Sequence, residues 1–183
     1  MLTADDILTF WLDEVGQDRW YAVDPDIDLT ARERFGALWQ AAMRGACHEW
    51  PVDPSGALAL LILLDQLSRN MFRGNAKAFA ADPLALAIAK CAISTGHDLA
   101  THEPERQFFY LPLMHSETVA DQERCLRLIM LNLPETGALN LDYAIAHRAV
   151  IRRFGRFPSR NAALGRTDST AELAYRAEGG FMS

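Results

Sequence analysis

The tripeptide Ser-Arg-Asn occurs twice in this chain of 183 residues, and further arginines stand beside both copies, in residues 63–74 and 153–166. The formal net charge is -6, yet the stretch 143–167 holds six arginines and no acidic residue. Because the guanidinium group presents a planar fork of N–H donors, arginine pairs well with carboxylates and phosphates. The repeated pattern therefore predicts a polar site that either faces an anion or is paired with carboxylates.

The first copy lies near the end of a predicted helix that begins at the Asp-Pro pair 53–54 and ends before Gly74. The first half of this helix is apolar on every side, which is typical of a buried helix. Farther along, a rotation of about 100° per residue aligns Asp65, Arg69 and Arg73 on one stripe. The candidate ligand-binding residues here are Asp65, Gln66, Arg69, Asn70 and Arg73. The alternative is structural, with an i, i+4 ion pair between Asp65 and Arg69.

The second copy lies in a loop. Gly155 and Pro158 interrupt any continuous helix and predict a shaped turn. Such a turn brings Arg156, Arg160 and Asn161 next to a helix terminus, where backbone N–H groups also attract anions. Solvation, or pairing with a neighbouring acidic residue, is the alternative for these side chains.

His147 lies on the helix before this turn, close to the centre of the face that we expect to point inward. That face carries Leu139, Tyr143, Val150 and Phe154. A histidine on an apolar face is either a ligand or a hydrogen-bonded core residue, and both interpretations stay open.

His115, Ser116 and Glu117 stand where one predicted helix ends and the next begins. The default interpretation is a helix cap, but His115 and Glu117 also fit a catalytic acid/base pair. None of the five histidines has the spacing of a metal motif, so we predict no metal and no cofactor.

No stretch alternates between apolar and polar residues as a half-buried strand does, and helix start and stop signals are frequent. We predict an all-α fold of about eight helices in antiparallel pairs, forming a single domain over residues 1–183. Capping boxes at Thr3 with Asp6 and at Ser169 with Glu172 mark the first and last helices. The expected helices cover residues 3–14, 28–47, 53–73, 82–95, 103–114, 118–133, 136–154 and 169–178.

The composition excludes several classes of protein. A pI near 5.3 argues against general nucleic-acid binding. The longest apolar run, residues 57–64, is far shorter than the roughly 20 residues that a membrane span needs. The N-terminus has early aspartates and no basic region, so it does not fit a signal peptide. Three separate cysteines, Cys47, Cys91 and Cys125, fit buried free thiols in a reducing compartment, and we predict a cytoplasmic protein.

Several motifs occur along nearly the whole chain in a characteristic order. They are FW, LLDQLSRNMFRG, AFAADPLAL, YLPLMHSE, ADQE, the helix of His147 and RFGRFPSRNAALGR. In this order they resemble the bacterial domain-of-unknown-function family nine-two-four. The resemblance implies an all-helical fold like that of tetratricopeptide repeats, a cytosolic protein and no established activity.

The chain departs from the pattern of that family at two places. Leu67 and Ser68 stand where the family usually has Phe-Pro, and Ser159 stands where it usually has histidine. If that histidine is catalytic in relatives, this chain lacks it. The matching residues of the two copies are Arg69, Asn70, Arg160 and Asn161.

Two functions compete on this sequence, and whether the protein is an enzyme stays open. The favoured hypothesis is a binding module in which both Ser-Arg-Asn copies converge on an arginine-lined pocket for an anionic small molecule or an acidic peptide. The alternative is a hydrolase in which His115 and Glu117 act as acid and base while arginines stabilise negative charge. We expect no membrane partner, and a homodimer stays open.

Overall fold

The computed structural model describes residues 2–181. Within them the chain forms eight α-helical segments, several short 3-10 helices and no strand, which confirms the predicted all-α class. The α-helices are α1 (Ala4–Leu8), α2 (Pro25–Met43), α3 (Pro54–Leu61), α4 (Ser68–Met71), α5 (Asp82–Ser94), α6 (Leu111–Met114), α7 (Val119–Asn132), α8 (Gly137–Phe154) and α9 (Thr170–Ala177). A π-helical stretch, Thr9–Val15, continues α1, and another, Ile62–Leu67, joins α3 to α4 in one segment.

The fifth helix, predicted over residues 103–114, is wrong for most of its length: Glu105–Phe109 is a 3-10 helix and only Leu111–Met114 is α-helical.

The second helix also differs from its predicted bounds, residues 28–47. It begins at Pro25, because the side chain of Asp24 accepts hydrogen bonds from two backbone N–H groups of the first turn. It ends at Met43. Asp24 and Pro25 therefore repeat the start signal that was recognised at residues 53–54.

The joined segment of α3 and α4 is the most deeply buried part of the chain. Asp53 caps it by accepting a hydrogen bond from the backbone N–H of Gly56 at 2.9 Å. Every residue from 56 to 68 is buried. Helices α1 and α5 pack against α3, and α2 packs against the π-helical stretch and α4. The polar residues of the first Ser-Arg-Asn copy therefore lie next to α2 and α5.

Helices α7 and α8 form a hairpin. They pack against each other and are joined by residues 133–136, so they run in opposite directions. Helix α8 ends at Gly155, whose φ of 69° is left-handed. Capping boxes at the starts of α1 and α9 form as predicted.

The inward face of α8 differs from the predicted one. Leu139 is 61% exposed and Tyr143 is 47% exposed, whereas His147 is only 6% exposed. The buried residues of this helix are Gly137, Asn140, Ala144, His147, Val150 and Ile151. The hydrophobic pattern misplaced the face because polar residues with protein partners are part of the buried side.

The chain divides into two compact units, unit 1 (Met1–Pro112) and unit 2 (Leu113–Ser183). The single domain over residues 1–183 stays a prediction, as does the likeness to tetratricopeptide repeats. No helix among residues 2–181 is both long and apolar enough to cross a membrane.

Candidate functional site

In unit 1, the polar residues of the first Ser-Arg-Asn copy meet acidic residues of neighbouring helices. The members of this α4 network are Asp28, Asp65, Gln66, Arg69, Asn70, Arg73 and Asp82. Arg69 donates to both carboxylate oxygens of Asp82, at 3.1 and 3.2 Å, and lies 3.3 Å from the carboxylate of Asp65. Burial alone would lower the pKa of Arg69, but the two carboxylates outweigh it, so the pKa lies above its ordinary value. The predicted pair of Asp65 and Arg69 thus exists, and a second acid shares the arginine.

Asp28, on α2, holds the other side of the α4 network. Arg73 donates to its two carboxylate oxygens at 2.7 and 2.9 Å, and the amide of Asn70 donates at 2.8 Å. Burial raises the pKa of Asp28, but the bonds from Arg73 and Asn70 outweigh it and leave the pKa below its ordinary value. These contacts tie α4 to α2, as Arg69 ties it to α5.

Ser68 and Arg69 also donate hydrogen bonds to backbone carbonyls of their own helix. A π turn lengthens the hydrogen-bonded ring by one residue, so its junction with an α-helix leaves carbonyl groups that need other donors. The hydroxyl of Ser68 donates to the carbonyl of Leu64 at 2.5 Å, and Arg69 donates to the carbonyl of Asp65 at 2.6 Å. The indole of Trp39 in turn donates to the Ser68 hydroxyl at 2.7 Å. Contacts within the protein therefore account for much of this copy.

Sequence reasoning missed Asp28 and Asp82. Both stand in the first turn of a helix, where an acid interacts favourably with the helix dipole. The helix start already explains both acids, so the sequence does not indicate that they also pair with arginines, which are 45 and 13 residues away in the chain.

In unit 2, His147 and Arg160 each lie against the ring of Phe157, and the ring of His115 lies beside that of His147. This histidine cluster consists of His115, His147, Phe157 and Arg160. The histidine ring centroids lie 6.1 Å apart. The ring of Phe157 lies 5.5 Å from that of His147 and 4.6 Å from the guanidinium carbon of Arg160. Arg160 also donates to the backbone carbonyl of His115 at 3.0 Å.

The burial of the cluster differs among its members. His147 and Arg160 are each 6% exposed, whereas His115 is half-buried. The Nδ1 atom of His147 lies 2.8 Å from the carbonyl oxygen of Tyr143. Because a carbonyl oxygen only accepts, this bond places a proton on Nδ1. In the neutral ring, Nε2 is then the acceptor nitrogen.

Glu117 is held by the loop of the second copy. Its carboxylate accepts from both arms of Arg166, at 2.8 and 2.9 Å, and from the backbone N–H of Phe157 at 2.9 Å. Partial burial raises the pKa of Glu117, but the Arg166 and Phe157 bonds outweigh it and the pKa lies below its ordinary value. Glu117 is therefore ionised at neutral pH, and its lowered pKa is poorly matched to proton transfer at that pH.

Gln122 fixes the turn that carries His115. Its amide nitrogen donates to the carbonyls of Met114 and Ser116, at 2.5 and 2.8 Å. The hydroxyl of Ser116 donates to the carboxylate of Asp121 at 2.8 Å. The turn thus holds the His115 backbone at a fixed place beside Arg160.

Arg156 and Asn161 connect the loop to the start of α9. Arg156 donates to both carboxylate oxygens of Glu172, at 2.7 and 2.8 Å. The Arg156 bonds bring the pKa of Glu172 far below its ordinary value. Asn161 is fully buried and its amide donates to Asp168 at 2.7 Å, while its side-chain oxygen has no partner in the described part of the chain. Pairing with acids, the alternative considered for this loop, is therefore what Arg156 and Arg166 do.

The structure gathers the predicted residues within each unit. In unit 1, the polar stripe of the third helix forms the α4 network; in unit 2, His115, His147 and Arg160 form the histidine cluster. The two Ser-Arg-Asn copies belong to different units, and their convergence on one pocket stays a prediction. Among residues 2–181, no three or more His, Cys, Asp or Glu side chains are placed to hold one metal ion.

The fold and the site together define an all-helical protein whose two Ser-Arg-Asn copies are accompanied by arginines that pair with acidic residues. The chain belongs to the family described as bacterial proteins of unknown function (DUF924), whose profile matches residues 7–180. A solved structure of a protein of unknown function from Agrobacterium tumefaciens is 43% identical in sequence. The match covers 96% of this chain and 97% of that chain, with a TM-score of 0.89. No curated protein matches the chain.

Proposed function

We propose that the histidine cluster of unit 2 binds a small anion, a carboxylate or a phosphate. The observation that supports this is the meeting of His115, His147 and Arg160, which come from three separate segments of the chain. Arg160 and His115 can donate hydrogen bonds, and His147 can donate from Nε2 when its ring is protonated, because its Nδ1–H already bonds the Tyr143 carbonyl. Arginine in particular matches carboxylate and phosphate oxygens. A half-buried His115 gives an anion a way to reach the cluster.

The α4 network has a different role in this proposal. Arg69 and Arg73 are occupied by Asp28, Asp65 and Asp82, which already supply the carboxylates that these guanidinium groups match. An external anion would have to displace a buried internal one. We therefore assign the α4 network to stability.

A hydrolase that uses His115 and Glu117 is the alternative. The pairing of Glu117 with Arg166 argues against Glu117 as a proton carrier near neutral pH, since its pKa is lowered. In a hydrolase, the acid/base role would then fall to His115. Turnover of a phosphate or carboxylate ester that is lost in His115→Ala, while binding of the ester is retained, would favour this alternative.

The binding proposal is tested by thermal shift with inorganic phosphate, acetate and a short acidic peptide as probes. Binding to the folded state raises the melting temperature as the probe concentration rises. We expect such a rise in the wild type and a smaller one in His115→Ala and Arg160→Lys. His102→Ala, which changes an exposed histidine outside the cluster, is the matched control and should respond as the wild type. A wild type that responds to none of the probes would contradict the proposal.

A further inference from the structure

The outer surface of the hairpin formed by α7 and α8 is rich in arginine. Arg148 and Arg152, on α8, both donate to the carboxylate of Glu123 on α7, with the Arg148 bond at 3.2 Å. This shared contact fixes which sides of the two helices adjoin at the surface. Arg127 stands one turn after Glu123 on the same side of α7 and is exposed.

Exposed apolar residues continue this surface toward the connection between the two helices. Met130, two turns after Glu123 on α7, is 64% exposed, and Ile145, one turn before Arg148 on α8, is 44% exposed. Because the helices are antiparallel, both residues lie on the same side of the Glu123 contact. The hairpin face consists of Glu123, Arg127, Met130, Ile145, Arg148 and Arg152. Three arginines and one glutamate leave this face positively charged.

Helix α2 carries a surface of the opposite charge. Asp26, Leu29 and Glu33 are spaced at i, i+3 and i+7, so they lie along one side of the helix. We call these three residues the α2 stripe. All of them are exposed, and Leu29 is 52% exposed although it is apolar. The α2 stripe therefore presents one apolar side chain between two acids.

We propose that the α2 stripe of one copy of this chain binds the hairpin face of a second copy. In this contact Leu29 covers Met130 and Ile145, while the acids of the stripe face the arginines of the hairpin. Each surface combines exposed apolar area with charge, and the two charges are opposite. The inference does not involve the proposed anion site, so each of the two proposals can fail without the other.

Charge decides between the possible pairings of these surfaces. Two hairpin faces against each other would oppose arginine to arginine, and two α2 stripes would oppose acid to acid. Like charges across an interface disfavour association. Only the crossed pairing brings opposite charges together, and each chain carries both of the surfaces that it needs. A second copy is therefore a sufficient partner.

The test is the weight-average mass from sedimentation equilibrium at up to about 100 μM, where a contact of micromolar Kd is largely formed. We expect the wild type to exceed the 20.4 kDa of one chain, and to approach it as salt screens the exposed charges. Two charge reversals, Arg127→Glu with Arg152→Glu and Asp26→Lys with Glu33→Lys, should each weaken association by roughly tenfold or more. All four changes in one chain make the surfaces opposite again and should restore association to within a few-fold.

The matched control for charge is Arg44→Glu with Lys77→Glu. It changes the net charge as much as the hairpin reversal does, at exposed positions outside both surfaces, and should leave association unchanged. Leu29→Ser should weaken association several-fold, whereas Leu99→Ser, at a 61% exposed position outside both surfaces, should not.

Three results would each overturn the proposal. They are a wild type that stays at 20.4 kDa over the whole concentration range, association that survives both charge reversals, and a chain with all four changes that does not regain association. The replaced residues of the hairpin face and the α2 stripe lie at the surface, so the variants should fold as the wild type does, which circular dichroism checks.

Discussion

The carboxylate of Glu117 accepts hydrogen bonds from both arms of Arg166, 49 residues farther along the chain, at 2.8 and 2.9 Å. The same carboxylate accepts the backbone N–H of Phe157 at 2.9 Å. One acidic side chain in a helix junction therefore holds both ends of the loop that carries the second Ser-Arg-Asn copy. Through Phe157 it also supports the histidine cluster.

The Glu117 pairing predicts an acid-sensitive contribution to stability. Because the folded-state pKa of Glu117 is lowered, its contribution is fully present above the unfolded-state pKa and is lost as the pH falls through the folded-state pKa. Glu117→Gln should cost about 1 to 2 kcal/mol of unfolding free energy at neutral pH, and less as the pH falls through the acid range. Urea unfolding of both proteins across that range measures the difference. If the difference in unfolding free energy between the wild type and Glu117→Gln does not become smaller as the pH falls, the prediction is wrong.

Arg69→Ala should be strongly destabilising, by about 3 to 5 kcal/mol, because it leaves Asp65 buried without its charge partner. Arg34→Ala is the matched control. It breaks a 2.6 Å pair with Glu14 in which the side chains are 36% and 46% exposed, and such exposed pairs contribute about 1 kcal/mol or less. Urea unfolding followed by circular dichroism compares the two. Similar losses of unfolding free energy in Arg69→Ala and Arg34→Ala would mean that burial does not set the strength of the α4 network.

Gly56→Ala should destabilise the protein, although alanine usually favours a helix by about 1 kcal/mol over glycine. A Cβ atom at position 56 would lie 2.1 Å from the backbone oxygen of Trp50, so the chain before α3 would have to move. Gly36→Ala, inside α2, meets nothing within 4 Å and should be neutral or stabilising. Opposite shifts of the two melting temperatures are the expected result. A stabilised Gly56→Ala would show that this approach of the backbone is not required.

The three cysteines should differ in reactivity. Burial raises the pKa of Cys125 to about 12 and also raises that of Cys47. The prediction of a buried thiol is wrong for Cys91, which is exposed. Since the thiolate is the reactive form, iodoacetamide should label Cys91 first in the native protein and spare Cys125 until the protein unfolds. Peptide mass spectrometry over time measures the order. Early labelling of Cys125 without unfolding would contradict its burial.

Local signals in the sequence predicted the helices well, since caps and stop residues act within one or two turns. Asp53 with the following proline, the two capping boxes and Gly155 each mark a helix end in the structure as they do in the sequence. The start of α2 was missed although Asp24 and Pro25 carry the same signal. The polar stripe of the third helix was also predicted from the helical period, and so was its pair of Asp65 and Arg69.

The partners of the remaining arginines could be found only in the tertiary structure. Arg73 could pair with many acids on the basis of sequence, and the packing of α2 against α4 selects Asp28, 45 residues away. Similarly, Arg166 selects Glu117, and Phe181 meets His147, because folding brings distant segments together. The sequence by itself determined the class of fold, the helix ends and the residue types of the site. Which charges neutralise each other, and which side of α8 is buried, depends on distances between side chains far apart in the chain, and only the folded chain sets those distances.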